Sequence, residues 1–361
     1  MKQTPFYALH QRHGATLVDF AGYAMPVRYQ DITTEHHAVR QRAGMFDLCH
    51  MGRVRFQGPD ALKLAQRVQT QNVAKQPVGR TRYALLADAS ANVIDDILIS
   101  REEDGFLLVV NASNREVDLA WFREHAQGLN VSIIDDSERI AMLAVQGPKA
   151  VDILAAFGLP GAKDVGYYKF ATLPHSSGPI LVSRTGYTGE DGFELFYEAP
   201  RSNYMWDAVL KVGTPFGMIP CGLGCRDTLR LEAGMPLYGH EIDRTTNPFE
   251  AGLDFGLSLE NPSVAQAALQ KIKAEGPKRK LIGLSPEGPR IPRQGCAVLA
   301  GETKVGVVCS GTLSPTLGKN IATAMVDASA ATRDDLVIDI RGNRAKAPRT
   351  ELPFYVRPDR S

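Results

Sequence analysis

The sequence predicts an α+β protein in which antiparallel sheets carry flanking helices and a separate all-β domain forms the C-terminal part. Three observations support this fold class. Helical and strand-like segments alternate irregularly, without the regular strand–helix–strand rhythm of a doubly wound parallel sheet. The strand-like runs are joined by short, hairpin-like spacings, which are typical of antiparallel pairing. After about residue 276, short strands separated by Gly, Pro and polar turns predict a small β-barrel or sandwich.

Capping residues and the spacing of apolar side chains predict the helices. Residues 34–44 form one helix with a hydroxyl N-cap and with Gly44 past its end. Ser113 and Glu116 have the spacing of a capping box, which predicts a second helix start. Further helices are predicted after Asp60 and at residues 149–157, 202–212 and 223–233.

Strands are predicted where short apolar runs lie between turn residues. In the first part of the chain they lie at residues 53–56, 93–99, 106–110, 140–145, 180–183 and 193–197. In the C-terminal part they lie at residues 281–284, 296–299, 305–309, 321–326, 336–340 and 352–356.

Length and charge restrict the possible functions. A chain of 361 residues suggests two or three domains. Because 41 Lys and Arg nearly balance 40 Asp and Glu, we expect neither a nucleic-acid partner nor a polybasic membrane anchor. No signal peptide is visible, and no apolar run approaches the ~20 residues that span a bilayer. We therefore expect a cytoplasmic protein, or a mitochondrial matrix protein if a transit peptide has been removed.

The five cysteines are scattered and form no closely spaced pair of the kind that zinc sites use. They are Cys49, Cys221, Cys225, Cys296 and Cys309. We expect free, mostly buried thiols and no metal site.

The first candidate for chemistry is the run from Val93 to Ile99, which contains Asp95 and Asp96. Side chains alternate along a strand, so each apolar face of this run carries one carboxylate. Burying an ionised carboxylate costs several kcal/mol unless it is paired or hydrogen-bonded. One interpretation of the pair is that it contains a functional acid. The other is that one aspartate is solvated at a strand end or paired with a neighbouring arginine.

The second candidate is the glycine-rich segment from Arg184 to Leu195. Its glycines predict a tight loop, and their spacing fits neither a dinucleotide-binding loop nor a P-loop. The loop leads into a strand on which Glu194 could accept hydrogen bonds from two N–H donors of a ligand. The alternative is a plain hairpin turn with exposed acids.

The third candidate is the segment from Cys221 to Gly234. Arg226 and Arg230 lie on one helix face, and Arg226 falls in the first turn, where the helix dipole already favours an anion. A cation at this position indicates an external carboxylate or phosphate, and the alternative is a solvated face with local ion pairs such as Asp227 with Arg230. No Ser-His-Asp arrangement can be assembled, and His50 is expected to be a structural histidine.

Taken together, these segments resemble the aminomethyltransferase family, the T-proteins of the glycine cleavage system. The resemblance runs from about residue 4 to residue 356. Its motifs are FAGYAMPV at residues 20–27, EHHAVR at 35–40, GMFD at 44–47, HMG at 50–52, IDD at 94–96, VNA at 110–112, QGP at 146–148, RTGYTGEDGFE at 184–194, CGLGCRDTLRLEAGMPLYG at 221–239 and SGTLSPTLG at 310–318.

The resemblance implies a cloverleaf of three domains around a folate site. A discontinuous central folate-binding domain would comprise residues 1–50 and 138–245. A second α+β domain with Asp96 would comprise residues 51–137 and 246–275, and a C-terminal β-barrel or jelly-roll domain residues 276–361. The implied reaction transfers the methylene of an aminomethyl group, held on the lipoyl arm of H-protein, to the co-substrate tetrahydrofolate, with release of ammonia.

The resemblance also implies roles for individual residues. Asp96 would be the catalytic acid beside the reacting nitrogens of folate, and Glu194 would accept the two-donor edge of the pterin. Arg226 would pair with the glutamyl tail. The remaining folate contacts implied are Tyr83, Tyr187 and Arg357. We expect the three charged side chains, Asp96, Glu194 and Arg226, to converge on one pteridine-sized cavity.

Two related functions remain as alternatives, and a third alternative is a multidomain binding protein that takes no small ligand. A folate-dependent demethylase would share the folate contacts but take a methyl group from a small free substrate. A non-catalytic folate-binding factor would bind folate without turnover; the Lys-Gly-Cys-Tyr-x-Gly-Gln-Glu signature of such relatives is absent from this sequence.

Overall fold

The computed structural model describes residues 1–358 and confirms the α+β class. Its α-helices are α1 (Tyr7–Arg12), α2 (Ile32–Gln41), α3 (Ala61–Val68), α4 (Arg115–His125), α5 (Ala150–Ala156), α6 (Ser202–Gly213), α7 (Leu223–Glu232) and α8 (Gln266–Glu275). No helix within the described range is both long and apolar enough to cross a membrane.

The strands of the N-terminal two-thirds match the predicted runs and add several that were not predicted. They are β1 (Thr16–Phe20), β2 (Tyr23–Arg28), β3 (Gly44–Asp47), β4 (Gly52–Gln57), β5 (Thr81–Ala87), β6 (Val93–Glu102), β7 (Gly105–Val110), β8 (Ser132–Asp135), β9 (Ile140–Gln146), β10 (Phe170–Leu173), β11 (Ile180–Ser183), β12 (Gly192–Glu198) and β13 (Ile219–Pro220). The C-terminal strands are β14 (Arg279–Leu284), β15 (Ala297–Ala300), β16 (Thr303–Leu313), β17 (Asn320–Asp327), β18 (Leu336–Ile340), β19 (Asn343–Lys346) and β20 (Arg349–Thr350).

The chain divides into two compact units. The first comprises Met1–Ala65, Val73–Tyr83 and Ile97–Asp227, and the second comprises Gln66–Asn72, Ala84–Asp96 and the described residues from Thr228 onward. The division passes through the β5–β6 hairpin, so that its tip belongs to the second unit. The three-domain boundaries given above stay a prediction.

A six-stranded sheet in the first unit has the order β10-β11-β12-β9-β3-β13. Its pairs are antiparallel except for β13 with β3, which is parallel. One face of the sheet packs against α5 and α6 around Leu143, Val182, Phe193 and Trp206. Because side chains alternate along a strand, the opposite face presents Glu194 on β12.

A five-stranded sheet has the order β5-β6-β7-β4-β8. Phe56 on β4 packs edge-to-face against Phe122 on α4, with ring centroids 4.9 Å apart, which fixes this helix on the sheet. The hairpin from β5 to β6 extends the sheet and carries Asp95 and Asp96.

The C-terminal seven-stranded sheet, in the order β19-β18-β15-β16-β17-β14-β20, confirms the predicted all-β domain. Its pairs are antiparallel, and it curls around a small core that includes Leu284, Val298, Ala324 and Ile338.

Three local predictions were wrong. The cap of α2 is Asp31, whose side chain accepts from the Thr34 N–H at 2.8 Å, so the helix begins before the predicted hydroxyl cap. The cap of α4 is Asn114, without a side-chain capping bond, so Ser113 forms no capping box. Residues 352–356 form no strand, because Pro353 has no N–H to donate to a sheet.

Candidate functional site

Glu194 lies in the middle of the six-stranded sheet. On β12 it pairs with Ser183 of β11 on one side and with Ala144 of β9 on the other. Its side chain is 6% exposed. Its neighbours Phe193 and Leu195 belong to the apolar core, so the carboxylate stands on the face that this core does not occupy.

The Thr185 hydroxyl donates a hydrogen bond to Oε2 of Glu194 at 2.5 Å. Burial raises the pKa of Glu194, while this hydrogen bond and the positive charge of Arg226 act in the opposite direction. A carboxylate with these two neighbours is a strong acceptor for N–H donors of a ligand.

The glycine-rich loop before β12 is tied to the sheet by Gln146. Its amide nitrogen donates to the Thr185 carbonyl at 3.1 Å, and its amide oxygen accepts from the Thr188 hydroxyl at 3.0 Å. A Cβ at Gly186 or Gly192 would collide with the terminal amide of Gln146, so a larger residue at either position would displace the group that ties the loop to the sheet. The loop is therefore held to the sheet by Gln146 and is not a simple turn that is free to move.

The acids of the loop are paired as well. Arg184 forms a two-pronged ion pair with Asp191, with N···O distances of 2.9 and 2.6 Å. Arg40 on α2 donates to the Thr188 carbonyl at 2.6 Å and to Glu190 at 3.0 Å. The alternative of a plain hairpin with exposed acids is wrong, because both acids are engaged by arginines that hold the loop.

Arg226 lies in the first turn of α7 and is partly buried. Its guanidinium carbon lies 4.6 Å from the centroid of the Tyr187 ring, in cation–π contact. Burial lowers the pKa of Arg226, whereas Tyr187 and Glu194 act in the opposite direction. The structure thus brings Glu194, Tyr187 and Arg226 together within the first unit.

Arg230 has a different environment from Arg226. It is buried in the second unit and forms an ion pair with Glu241 at 3.0 Å. It also donates to the Ser310 hydroxyl at 2.7 Å. The alternative of a solvated helix face is wrong at this position, and Arg230 is a structural residue that ties α7 to the C-terminal sheet.

Asp95 and Asp96 have different environments on β6. Asp95 is fully buried, whereas Asp96 is partly exposed. Tyr83, on the adjacent β5, is also partly exposed. Of the two aspartates, only Asp96 therefore has surface open to solvent.

The convergence of these residues stays a prediction. Asp96 and Arg357 belong to the second unit, whereas Tyr83, Tyr187, Glu194 and Arg226 belong to the first. Arg357 is partly exposed beyond the last strand.

His50 is buried, and its role as a structural histidine stays a prediction. Burial lowers its pKa to about 3, and the positive charges of Arg226 and Arg53 act in the same direction. The ring is therefore neutral at physiological pH. Within the described residues its Nδ1 has no hydrogen-bond partner, and the ring lies edge-on to Phe20 at 5.5 Å.

Among residues 1–358, the fold brings together one group of potential metal ligands. Side-chain atoms of Glu35, Cys221 and Cys225 lie within 4.8 Å of one another and are buried. The Glu35 carboxylate already accepts main-chain N–H groups of Tyr29, Gln30 and Gly222, at 2.6, 3.0 and 2.8 Å. These bonds fit a structural role that fixes the chain entering α2 and the chain entering α7. The prediction of free, mostly buried thiols is confirmed, with Cys296 partly exposed.

Several residues of this site were missed by sequence reasoning. Glu194 and its loop are supported by Ser183, Thr185, Gln146 and Arg40. Of these, only Thr185 lies inside the glycine-rich segment that the sequence predicts as a candidate site. The signal for Thr185 is its position two residues after the end of a predicted strand and directly before a glycine. Ser183 lies directly before this segment. Gln146 and Arg40 belong to the QGP and EHHAVR motifs but are distant from Glu194 in sequence, and nothing local in the sequence indicates their contacts with the loop.

The chain is similar to known proteins over its whole length. Residues 6–261 match the GCVT N-terminal domain, and residues 279–355 match the glycine cleavage T-protein C-terminal barrel domain. Aminomethyltransferases from Symbiobacterium thermophilum and Geobacillus thermodenitrificans are 46% and 45% identical to it. The matches cover 100% and 99% of this chain, respectively, and 99% of each relative.

A solved structure shares the fold as well. The glycine cleavage system aminomethyltransferase T from Bartonella henselae has a TM-score of 0.93 and 30% sequence identity, over 99% of this chain and 98% of that one. Sequence motifs, both domain profiles and the fold agree, and the chain therefore belongs to the aminomethyltransferase family, the glycine cleavage T-proteins.

Proposed function

We propose that this aminomethyltransferase transfers the methylene of an aminomethyl group, carried on the lipoyl arm of H-protein, to tetrahydrofolate. The observation that carries the proposal is the position of the buried Glu194 carboxylate, on the strand that follows the anchored glycine-rich loop. The Arg226 guanidinium lies near this carboxylate and is in cation–π contact with Tyr187. We further propose that the reaction takes place in the cytoplasm and that the three-domain division stated above holds.

Glu194 is assigned to the pterin. The ring N–H and the exocyclic amine of a reduced pterin form a two-donor edge, and an ionised carboxylate has lone pairs for both donors. Thr185 occupies part of the acceptor capacity of Oε2 and leaves the rest available. Because Glu194 is only 6% exposed, little water competes for its carboxylate, and hydrogen bonds to it are strengthened.

Arg226 is assigned to the glutamyl tail. Its fixed fork of donors matches a carboxylate, and the Tyr187 ring restricts the orientation of the guanidinium plane. Its place in the first turn of a helix adds the positive end of the helix dipole to its own charge. Tyr83 and Arg357 are assigned as further folate contacts.

Asp96 is assigned to the chemical step. The transferred carbon gains bonds to N5 and N10 of tetrahydrofolate and loses its bonds to the lipoyl sulfur and to nitrogen. The two folate N–H protons balance the thiol and the ammonia that leave. A partly exposed carboxylate beside N5 can orient that nitrogen for attack and stabilise the positive charge that develops as the carbon moves.

The proposal is tested by comparing carbon donors. The protein is incubated with tetrahydrofolate and either aminomethyl-loaded H-protein or small N-methyl and sulfonium compounds, and ammonia and methylenetetrahydrofolate are measured. We expect turnover with the loaded H-protein. Turnover with a small methyl donor alone would indicate a demethylase, and folate binding without turnover would indicate a non-catalytic binding factor; either result would overturn the proposed reaction.

A further inference from the structure

A chain of buried hydroxyl groups ends at Glu194. The Ser183 and Thr185 hydroxyls lie 2.9 Å apart, and the Thr185 hydroxyl lies 2.5 Å from Oε2 of Glu194. Ser183, Thr185 and Glu194 are 4%, 2% and 6% exposed, so water contributes little to their hydrogen bonds. Ser183 and Glu194 are direct cross-strand partners, and this pairing fixes the distance between the first and the last residue of the hydrogen-bonded series.

The direction of this chain follows from the charge of its last member. An ionised carboxylate only accepts, so the single proton of the Thr185 hydroxyl points to Glu194. The Thr185 oxygen is then available as an acceptor, and the Ser183 hydroxyl donates to it. Each of the two hydroxyl protons then has one acceptor, and this arrangement is consistent with the ionised form of Glu194.

We propose that Thr185 is a positioning residue for ligand binding, which fixes Oε2 of Glu194 and keeps the carboxylate ionised so that both oxygens can accept from a two-donor ring edge. The inference rests on the proposed function, in which Glu194 accepts the pterin. Thr185 itself acts through Glu194.

Three features support this role. The Thr185 main chain is held by Gln146, which donates to its carbonyl at 3.1 Å, so the backbone that carries the hydroxyl is fixed relative to the sheet. Burial raises the pKa of Glu194, and the Thr185 hydrogen bond is the first of the effects that oppose burial. The charged group that faces Glu194 from another element is Arg226 on α7, which acts in the same direction as Thr185.

The test separates ionisation from binding. Thr185→Val removes the hydroxyl with little change of shape, and Thr188→Val is the matched control, because the Thr188 hydroxyl bonds Gln146 rather than Glu194. The protein is labelled with carboxyl-¹³C glutamate, and the Glu194 resonance is identified by its loss in Glu194→Gln. Its titration is followed by NMR in wild type and in both variants.

We expect the titration midpoint of Glu194 to rise by about one pH unit in Thr185→Val and to stay unchanged in Thr188→Val. Thr185→Ser restores the hydroxyl and should restore the wild-type midpoint. An unchanged midpoint in Thr185→Val would overturn the proposal, whatever happens to folate affinity.

Folate affinity is then measured by calorimetry as a function of pH. Because the ionised form binds, affinity is lost as the pH falls through the Glu194 midpoint, and in Thr185→Val this loss begins at a higher pH. We expect a deficit of roughly fivefold at the wild-type midpoint, which approaches tenfold at lower pH and shrinks as the pH rises. A deficit that is the same at every pH would indicate a purely structural role and would overturn the proposal.

The failure of the proposed function has a different signature. If the Glu194 midpoint rises in Thr185→Val while tetrahydrofolate affinity is equal to wild type at every pH, then Thr185 does control Glu194. In that case the pterin does not bind there, and it is the assignment of Glu194 to folate that fails.

Discussion

Replacing Glu194 with glutamine tests the proposed pterin contact most directly. The change keeps the shape of the side chain but exchanges one acceptor oxygen for an NH₂ group. The remaining amide oxygen can still accept from Thr185, since that hydroxyl lies at 2.5 Å. The NH₂ group would then face one of the two N–H donors of the ligand, so a charged hydrogen bond is lost.

The size of the effect follows from the burial of this side chain. A hydrogen bond to a charged group contributes about 1.5–3 kcal/mol, and Glu194 is buried enough for this range to apply. Since 1.4 kcal/mol corresponds to a tenfold change, Kd for tetrahydrofolate should rise roughly 10- to 150-fold. Calorimetric titration under anaerobic conditions measures this value, and Glu190→Gln is the matched control in the same loop.

Although Glu194→Gln should weaken folate binding, it should not lower the stability of the folded protein. Burial raises the pKa of Glu194 above its unfolded value, so at neutral pH the ionised group opposes folding. Glutamine has no charge to bury, and the melting temperature of Glu194→Gln should equal or exceed that of wild type. A Kd within twofold of wild type would refute the contact, and a large drop in melting temperature would show that burial of this charge does not oppose folding.

Four further predictions concern single residues. Asp96→Asn should lower turnover at least ~100-fold with folate affinity nearly intact, which steady-state kinetics and calorimetry can separate; equal activity would count against the acid. Arg226→Ala should weaken binding of polyglutamylated folate more than binding of a tail-less pterin, and equal losses would exclude the tail contact. Glu241→Gln should destabilise the fold by about 3–5 kcal/mol in urea unfolding, because the buried Arg230 loses its charged partner, and a change below 1 kcal/mol would contradict this. Burial raises the pKa of Asp47, but hydrogen bonds from buried partners outweigh this and hold it below its usual value. Its stabilisation is therefore present above the unfolded pKa and is lost as the pH falls through the folded pKa, below roughly pH 4. The free energy of unfolding of Asp47→Asn should accordingly decrease less than that of wild type as the pH is lowered through this range.

Elements with a strong local pattern were predicted well. The runs at β4, β7, β11 and β12 were found within one or two residues, because each combines apolar alternation with turn residues at its ends. The boundaries of α2 and α4 were not, since several polar residues in each segment could serve as the cap, and only the surrounding chain decides which one does.

The candidate site was predicted in part. Glu194 and Arg226 stood out because a carboxylate after a glycine-rich loop and a cation at a helix start are unusual choices, and the structure brings them together. The sequence did not distinguish Asp95 from Asp96 by burial, because both lie on apolar faces of one strand. Which face is covered depends on the elements that pack against the sheet.

By itself, the sequence determined the fold class, the all-β C-terminal domain and the family, since these depend on periodicity, turn residues and motifs that are local in the chain. Only the tertiary structure decided that Thr185 donates to Glu194, that Gln146 anchors the glycine-rich loop and that Arg230 is a structural ion pair rather than a second anion-binding residue. The physical reason is that hydrogen bonds and charge pairing depend on atoms within about 3 Å of one another, and strand pairing and helix packing bring such atoms together from distant parts of the chain.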